Sequence, residues 1–349
     1  MVVVGADVHK RTHTFVAVDE VGRELGHRTF PATTAGHREA VRWVRQRFGR
    51  ELRWAIEDCR HLSARLERDL LTCGEQVVRV PPKMMAEQRR VARTRGKSDP
   101  IDALAVARAA QREPDLPVAS HDETSRELKL LVDRRDDLVK HRTATINRLL
   151  WHVHEIDPEI APPKASLDRV VRQQKLASDL GGLAGIVAEL ARDELADVIE
   201  LTGRINQLER RITDLVAQRA PTLLAMPGVG ALTAAKIVGE TAGVARFKSE
   251  AAFARHSGIA PIPVWSGNTA GRVRLTRSGN RQLNAAIHRI AVTQIRLDGL
   301  GKTYYEKKKA EGMSTPEALR CLKRRLARIV FHHLTTDQAV AATTIAAAA

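Results

Sequence analysis

The sequence predicts an α/β amino-terminal domain followed by long helices, and three observations carry that expectation. Short apolar runs punctuated by turn residues mark five strands within the first eighty residues. Helical spacing first interrupts this pattern after the third strand, which turns a run of hairpins into an alternation of strand and helix. Beyond residue 122 the chain becomes long, charged and helical, and its 349 residues exceed what a single hydrophobic core usually supports.

Residues 2–6, 14–18 and 24–30 read as three antiparallel strands, joined through the turn residues Asp19, Glu20 and Gly22. A helix is expected over 37–48, a strand over 53–57, a helix over 61–73 and a strand over 76–80. Three leading strands followed by helix-linked parallel ones is the order of a ribonuclease H-like domain. In that order Asp7 ends the central strand and Glu57 ends its parallel neighbour, so their side chains come together. Residues 99–112 read as a helix with Asp99 at the cap and Pro100 at the first helical position. Asp102, three residues on, shares a face with Asp99 near the helix N-terminus; each is equally readable as an ordinary first-turn acid.

Residues 122–153 and 183–219 form a helical connector broken by a proline-rich stretch at 157–164. In its second arm Val187, Ala191, Glu194, Val198, Leu201, Ile205, Leu208, Ile212 and Leu215 step by four and three, the seam of a coiled coil. A seam does not say whose helix fills it, so an intramolecular hairpin and a homo-oligomer both stand. Glu194 is a blemish in either. The expected organisation is therefore a catalytic α/β domain over 1–120, a connector over 121–219, a mainly helical carboxy-terminal domain over 220–335 and a disordered tail over 336–349.

Lys and Arg number 57 against 41 acids, a formal net charge of +16, which attracts polyanions through counterion release. The charge is clustered: residues 79–112 hold nine cations against three acids, and residues 272–328 hold fifteen against four. Nucleic acid is the expected partner, and aromatic residues at 3% point to contacts with its backbone rather than to base stacking. Cys59, Cys73 and Cys321 lack metal-ligand spacing and read as reduced thiols, which suggests a cytosolic protein. No apolar stretch is long enough for a signal peptide or a membrane span.

An acidic cluster in so basic a chain suggests metal-dependent phosphodiester chemistry. Hard divalent cations such as Mg²⁺, or Mn²⁺, prefer carboxylate oxygens, and Asp7, Glu57, Asp99 and Asp102 could supply them. Arg90, Arg93, Arg95 and Lys97 would hold the phosphate backbone beside that pocket. Asp58 points to the other side of its strand, and His9, although it alternates onto the face of Asp7, reads as a structural histidine. The MPGVG turn with Gly228 and Gly230, followed by a small-residue helix, resembles a helix-hairpin-helix element that offers backbone N–H groups to phosphate; a plain glycine turn is its alternative. Residues 256–279 lead into a basic helix near Arg281 and hold three serines, Ser257, Ser266 and Ser278, flanked by Arg272, Arg274 and Arg277. A serine can attack phosphorus if cations neutralise the charge, and residue chemistry alone leaves the three equally eligible.

GADVHK, AIED, KSDPIDA, MPGVG, GIAPIPVWSGN and ALRCLKRRLAR occur in that order over nearly the whole chain, which resembles the IS110 family of insertion-sequence transposases. The resemblance implies a RuvC-like DEDD domain built on Asp7, Glu57, Asp99 and Asp102, and selects Ser266 as a nucleophile. It further implies recombination of donor and target DNA at the nucleoid, a structured guide RNA in some members, and a homo-oligomer (dimer or tetramer) sharing one active site between subunits. Two readings compete with it: a Holliday-junction nuclease using metal-activated water, and a nucleic-acid-binding scaffold without chemistry.

Overall fold

The computed structural model describes residues 1–57, 60–91, 98–113, 116–120, 122–271, 273–275 and 279–348. It divides into two units, the first made of Met1–Glu123 with Ala242–Thr335 and the second of Thr124–Thr241 with Thr336–Ala349.

The first unit opens with β1 (Val2–Val8), β2 (Thr12–Val18), β3 (Glu24–Pro31), α1 (Thr34–Phe48), β4 (Leu52–Glu57), α2 (Arg60–Thr72), β5 (Gln76–Val80), α3 (Pro82–Val91) and α4 (Asp99–Arg112). The strands order as β3-β2-β1-β4-β5, with β1, β2 and β3 antiparallel and β4 and β5 parallel to β1. This is the ribonuclease H-like order expected from the sequence. Because side chains alternate across a strand, β1, β2, β4 and β5 each feed two cores. Val4, Ala6, Phe15, Trp54 and Ile56 pack beneath Val41 and Val44 of α1 and Leu66 and Leu70 of α2. Val3, Val16, Ala55 and Val78 pack on the other face against Ala103, Val106 and Ala107 of α4.

On the α1 face lies a buried polar pair. His13 stacks on His37 with ring centroids 5.1 Å apart, and His37 Nδ1 is 2.6 Å from Asp69 Oδ2. His13 Nδ1 accepts the His9 backbone N–H at 3.3 Å, which requires a neutral ring nitrogen. Burial, helped by the neighbouring His37, lowers the His13 pKa to about 4 from an ordinary 6.5. Between those values the unfolded chain binds the proton and the folded one does not, so stability rises with pH across that window and is lost as pH falls through it. Urea unfolding at steps between pH 4 and 6.5 should show this slope, and His13→Asn should flatten it.

The second unit is built on α5 (Glu123–Ile156), α6 (Val170–Gly181), α7 (Ile186–Arg219), α8 (Pro221–Leu224) and α9 (Ala231–Thr241). α5 and α7 run antiparallel, as shown by Arg135 to Glu209 at 2.6 Å and Arg148 to Glu194 at 2.9 Å. Ala188, Ala191, Leu195, Val198, Leu201, Thr202, Ile205, Ile212 and Val216 are buried on α7, so the apolar stripe is filled by this chain's own helices. Of the nine expected seam positions, Ala191, Val198, Leu201, Ile205 and Ile212 are buried, and at three others the buried residue is the next one along, Ala188, Leu195 and Val216. Glu194 flanks it, and its partner Arg148 accounts for a carboxylate that looked misplaced. α9 packs closely on α5: a Cβ on Gly239 would lie 2.9 Å from the Lys129 backbone, while Lys129 pairs with Glu240 and Lys236 with Asp136. Residues 336–348, expected to be disordered, instead continue a helix, and Asp337 accepts the backbone N–H groups of Thr222 and Leu223.

The first unit resumes with α10 (Glu250–His256), β6 (Pro261–Pro263), β7 (Val273–Leu275), α11 (Arg281–Gln294), α12 (Leu300–Ala310) and α13 (Thr315–Ala348), the last running on into the second unit. No described helix is long and apolar enough to cross a membrane.

Candidate functional site

Sheet parity explains how four carboxylates come to one side. Val3 and Gly5 of β1 and Ala55 of β4 face α4, so Asp7 and Glu57, each two residues on, face it too. In the parallel register Ala6 lies opposite Ile56, which makes Asp7 and Glu57 the next pair of positions. α4 brings the other two carboxylates because its N-terminal turn lies over the same strand ends. Its approach depends on Gly5, where a Cβ would come within 2.2 Å of the Ala103 carbonyl oxygen and 2.5 Å of the Ala107 nitrogen. Gly5→Ala should therefore push α4 outward, lower stability by about 1–3 kcal/mol through overpacking and weaken divalent-cation binding. Denaturant unfolding and a Mn²⁺ titration measure the two effects.

The helix begins one residue earlier than expected. Ser98 occupies the cap, with φ −153° and ψ 156°, and Asp99 is the first helical residue, so its carboxylate is not the cap. Asp99 is half exposed and lies 3.4 Å from His9 Nε2, which is 3.0 Å from Asp7 Oδ2. One donor atom each from Asp7, His9 and Asp99 falls within 4.8 Å of the others, a spacing that one cation can bridge. Asp102 is buried. Burial raises the Asp7 pKa; the neighbouring His9 opposes this, while the charges of Asp102 and Asp99 add to it. A half-buried carboxylate held among like charges fits a divalent cation, whose charge would offset both the repulsion and the lost hydration.

His9 is the residue that sequence reasoning set aside as structural. It is half exposed and contacts two of the four expected carboxylates. The signal was its period-two spacing from Asp7, which carried more weight than the general rarity of functional histidines.

The serines separate by burial. β6 and β7 pair antiparallel, with Ile262 opposite Arg274, and the connection between them exposes Ser266 beside a half-exposed Trp265. Ser257 is fully buried and donates to the Ala254 carbonyl, so it belongs to the base of this hairpin rather than to its tip. That base is firmly held. A Cβ on Gly279 would meet the Gly258 nitrogen at 2.1 Å, the Asn280 N–H donates to the His256 carbonyl, and Asn284 Nδ2 donates to the carbonyls of Ser257 and Gly258. Lys323, buried and with its pKa lowered by that burial, donates to Asn284 Oδ1 at 2.7 Å. Ser278 lies outside the described residues, as do Asp58, Arg93, Arg95, Lys97, Arg272 and Arg277.

Of the remaining expected contacts, Arg90 is exposed near the end of α3, Arg274 is exposed on β7, and Arg281 is exposed at the start of α11. Gly228 takes a left-handed φ of 81° in the turn between α8 and α9, and Gly230 has open space where a Cβ would stand. The helix before that turn is only four residues long.

The chain is similar to known proteins over most of its length. A DEDD model of the IS110 type, described as Transposase, matches residues 4–158, and one described as Transposase IS116/IS110/IS902 family matches residues 220–306. The insertion element IS116 uncharacterized 44.8 kDa protein of Streptomyces clavuligerus is 27% identical over 367 residues, spanning 92% of this chain and 92% of its own. The insertion element IS900 uncharacterized 42 kDa protein of Mycobacterium paratuberculosis is 27% identical, spanning 99% and 98%. Among solved structures, T. thermophilus RuvC in complex with Holliday junction substrate is 16% identical with a TM-score of 0.27, covering 34% of this chain and 99% of that one.

Proposed function

The chain belongs to the IS110/IS116/IS902 family of transposases, enzymes that cut and rejoin DNA, and from that premise we propose that its carboxylates and its exposed serine form one reaction centre. Asp7, Glu57, Asp99 and Asp102 would hold Mg²⁺ or Mn²⁺. When bound, such an ion neutralises charge on the phosphate and on the leaving oxygen. The observation that carries this reading is the convergence of Asp7 and Asp99 within one ligand shell, with burial raising the Asp7 pKa.

The Ser266 hydroxyl oxygen would bond to phosphorus as one bond from phosphorus to a sugar oxygen breaks. Its proton passes to a base, and the departing sugar oxygen takes one up. A later sugar hydroxyl attacks the phosphoserine and rejoins the strand, which conserves the phosphodiester energy without a nucleotide cofactor. Exposure of Ser266 on a hairpin with a firmly held base supports this role, because the tip is presented while its root stays fixed. In a dimer or tetramer the hairpin of one subunit would serve the carboxylates of another; the α7 stripe being filled within the chain, such assembly must use a different surface. Donor and target DNA are the substrates. A structured guide RNA pairing with both would leave the protein to grip backbones, as a chain with 3% aromatic residues suits.

The test is to incubate the protein with end-labelled DNA carrying an element junction and Mg²⁺ or Mn²⁺, then denature it. A labelled protein whose phosphorylated peptide contains Ser266 is expected, and strand cleavage without any such adduct would overturn the reading. Sequencing of nucleic acid that purifies with the protein should return one discrete structured RNA; random host RNA would remove the guide.

A further inference from the structure

The first unit contains a cavity of about 1060 Å³ that the carboxylate site does not use. One wall is α13, another is α12, and the third is the β6–β7 hairpin, represented by Pro261, Val273 and Arg274. Its lining is strongly basic. Arg320, Arg324 and Arg328 stand at successive turns of α13, about 6 Å apart along the axis, and Arg325 and Arg274 join them. Three glutamates also line it, and each has a partner: Glu250 binds Arg328 at 3.1 Å and Arg324 at 3.8 Å, Glu311 binds Lys308, and Glu317 accepts from Ser314. Arg274 and Arg320 form no ion pair with described residues, although the Glu317 carboxylate feels the Arg320 charge, and the Arg325 guanidinium lies 4.8 Å from the Tyr304 ring centroid.

Such an arrangement costs free energy in an empty groove, since exposed like charges repel and the side chains lose freedom. The pattern fits a ligand with regularly spaced anionic groups. Arginine forks match phosphate oxygens, and a row at one-turn intervals suits successive phosphates of an extended strand. The volume is at the top of the range that small molecules fill, which favours a piece of a polymer. The geometry points to a binding groove for the phosphodiester backbone of a single DNA strand, with Arg320 and Arg325 as contacts and the Glu250 carboxylate holding Arg324 and Arg328 in line. DNA is the occupant because the groove wall continues into the hairpin that presents Ser266, so a strand lying there leads to the serine. This choice of occupant rests on the transposase reading above.

The test compares the full-length protein with an Arg320→Ala/Arg325→Ala variant, and with an Arg210→Ala/Arg219→Ala control that loses the same charge from α7. Fluorescence anisotropy with a short labelled single-stranded DNA is recorded over a series of salt concentrations. Loss of two phosphate contacts should reduce the salt slope by about 1.4 and weaken binding roughly tenfold at 0.15 M salt, with the control close to wild type. Equal slopes in the two double variants would overturn the groove, as would a loss confined to structured RNA with DNA binding intact. If the slope falls in the groove variant but wild-type protein forms no phosphoserine adduct, the groove stands as a DNA site and the serine reading fails. If the adduct forms and the slope does not change, the reverse holds.

Discussion

Asp7→Asn is expected to lower metal-dependent DNA cleavage by about 10³-fold, equivalent to roughly 4 kcal/mol of transition-state stabilisation, while DNA affinity stays equal or becomes tighter. The direction of the second effect is what distinguishes chemistry from folding. Asp7 lies within β1 with Thr14 opposite, and its carboxylate is bonded to His9 at the open edge of the carboxylate site. Asparagine has the same shape and keeps an acceptor oxygen, so the strand should fold as before. It loses the charge that would hold a divalent cation, and that same loss removes repulsion toward a phosphate backbone. A protein that only bound nucleic acid would gain affinity and have no cleavage to lose. Measured cleavage rates and DNA affinities of the two proteins in Mn²⁺ decide this, and unchanged cleavage would exclude the carboxylates from the reaction.

Much of this arrangement was legible because it depends on local sequence pattern. Short apolar runs between turn residues located the five strands, and sheet parity then placed Asp7 and Glu57 on a common face. Features decided by neighbours were less legible. The cap of α4 shifted to Ser98, since both Ser98 and Asp99 are good capping residues and the sequence does not say which adopts extended backbone. The α7 stripe reads the same whether its partner is a second chain or the preceding helix, and the pairs Arg135–Glu209 and Arg148–Glu194 show which helix fills it here. The alanine- and threonine-rich end looked like low-complexity tail, yet alanine is the strongest helix former, and Asp337 anchors the segment to the start of α8. His9 was set aside on frequency, although its spacing from Asp7 already placed it at the site.

Ser266→Ala should abolish the covalent protein–DNA adduct and strand transfer while leaving DNA affinity and thermal stability within error of wild type. Stability should hold because the side chain is exposed at the tip of a hairpin whose fixed parts lie elsewhere: Gly258 against Gly279, and Asn284 braced by Lys323. Removing one hydroxyl there leaves the base intact. The neighbouring serines make the comparison discriminating. Ser257→Ala removes a buried hydrogen bond, so it should cost about 1 kcal/mol of stability and keep the adduct. Ser278→Ala tests the third serine that residue chemistry left eligible, and it too should keep the adduct. Should nicking persist in Ser266→Ala without an adduct, the attacking group would be water held at the carboxylates, and the chain would act as a hydrolytic nuclease. Loss of nicking and rejoining together, with binding unchanged, requires instead that the phosphodiester energy pass through the serine, because no other step in the scheme conserves it.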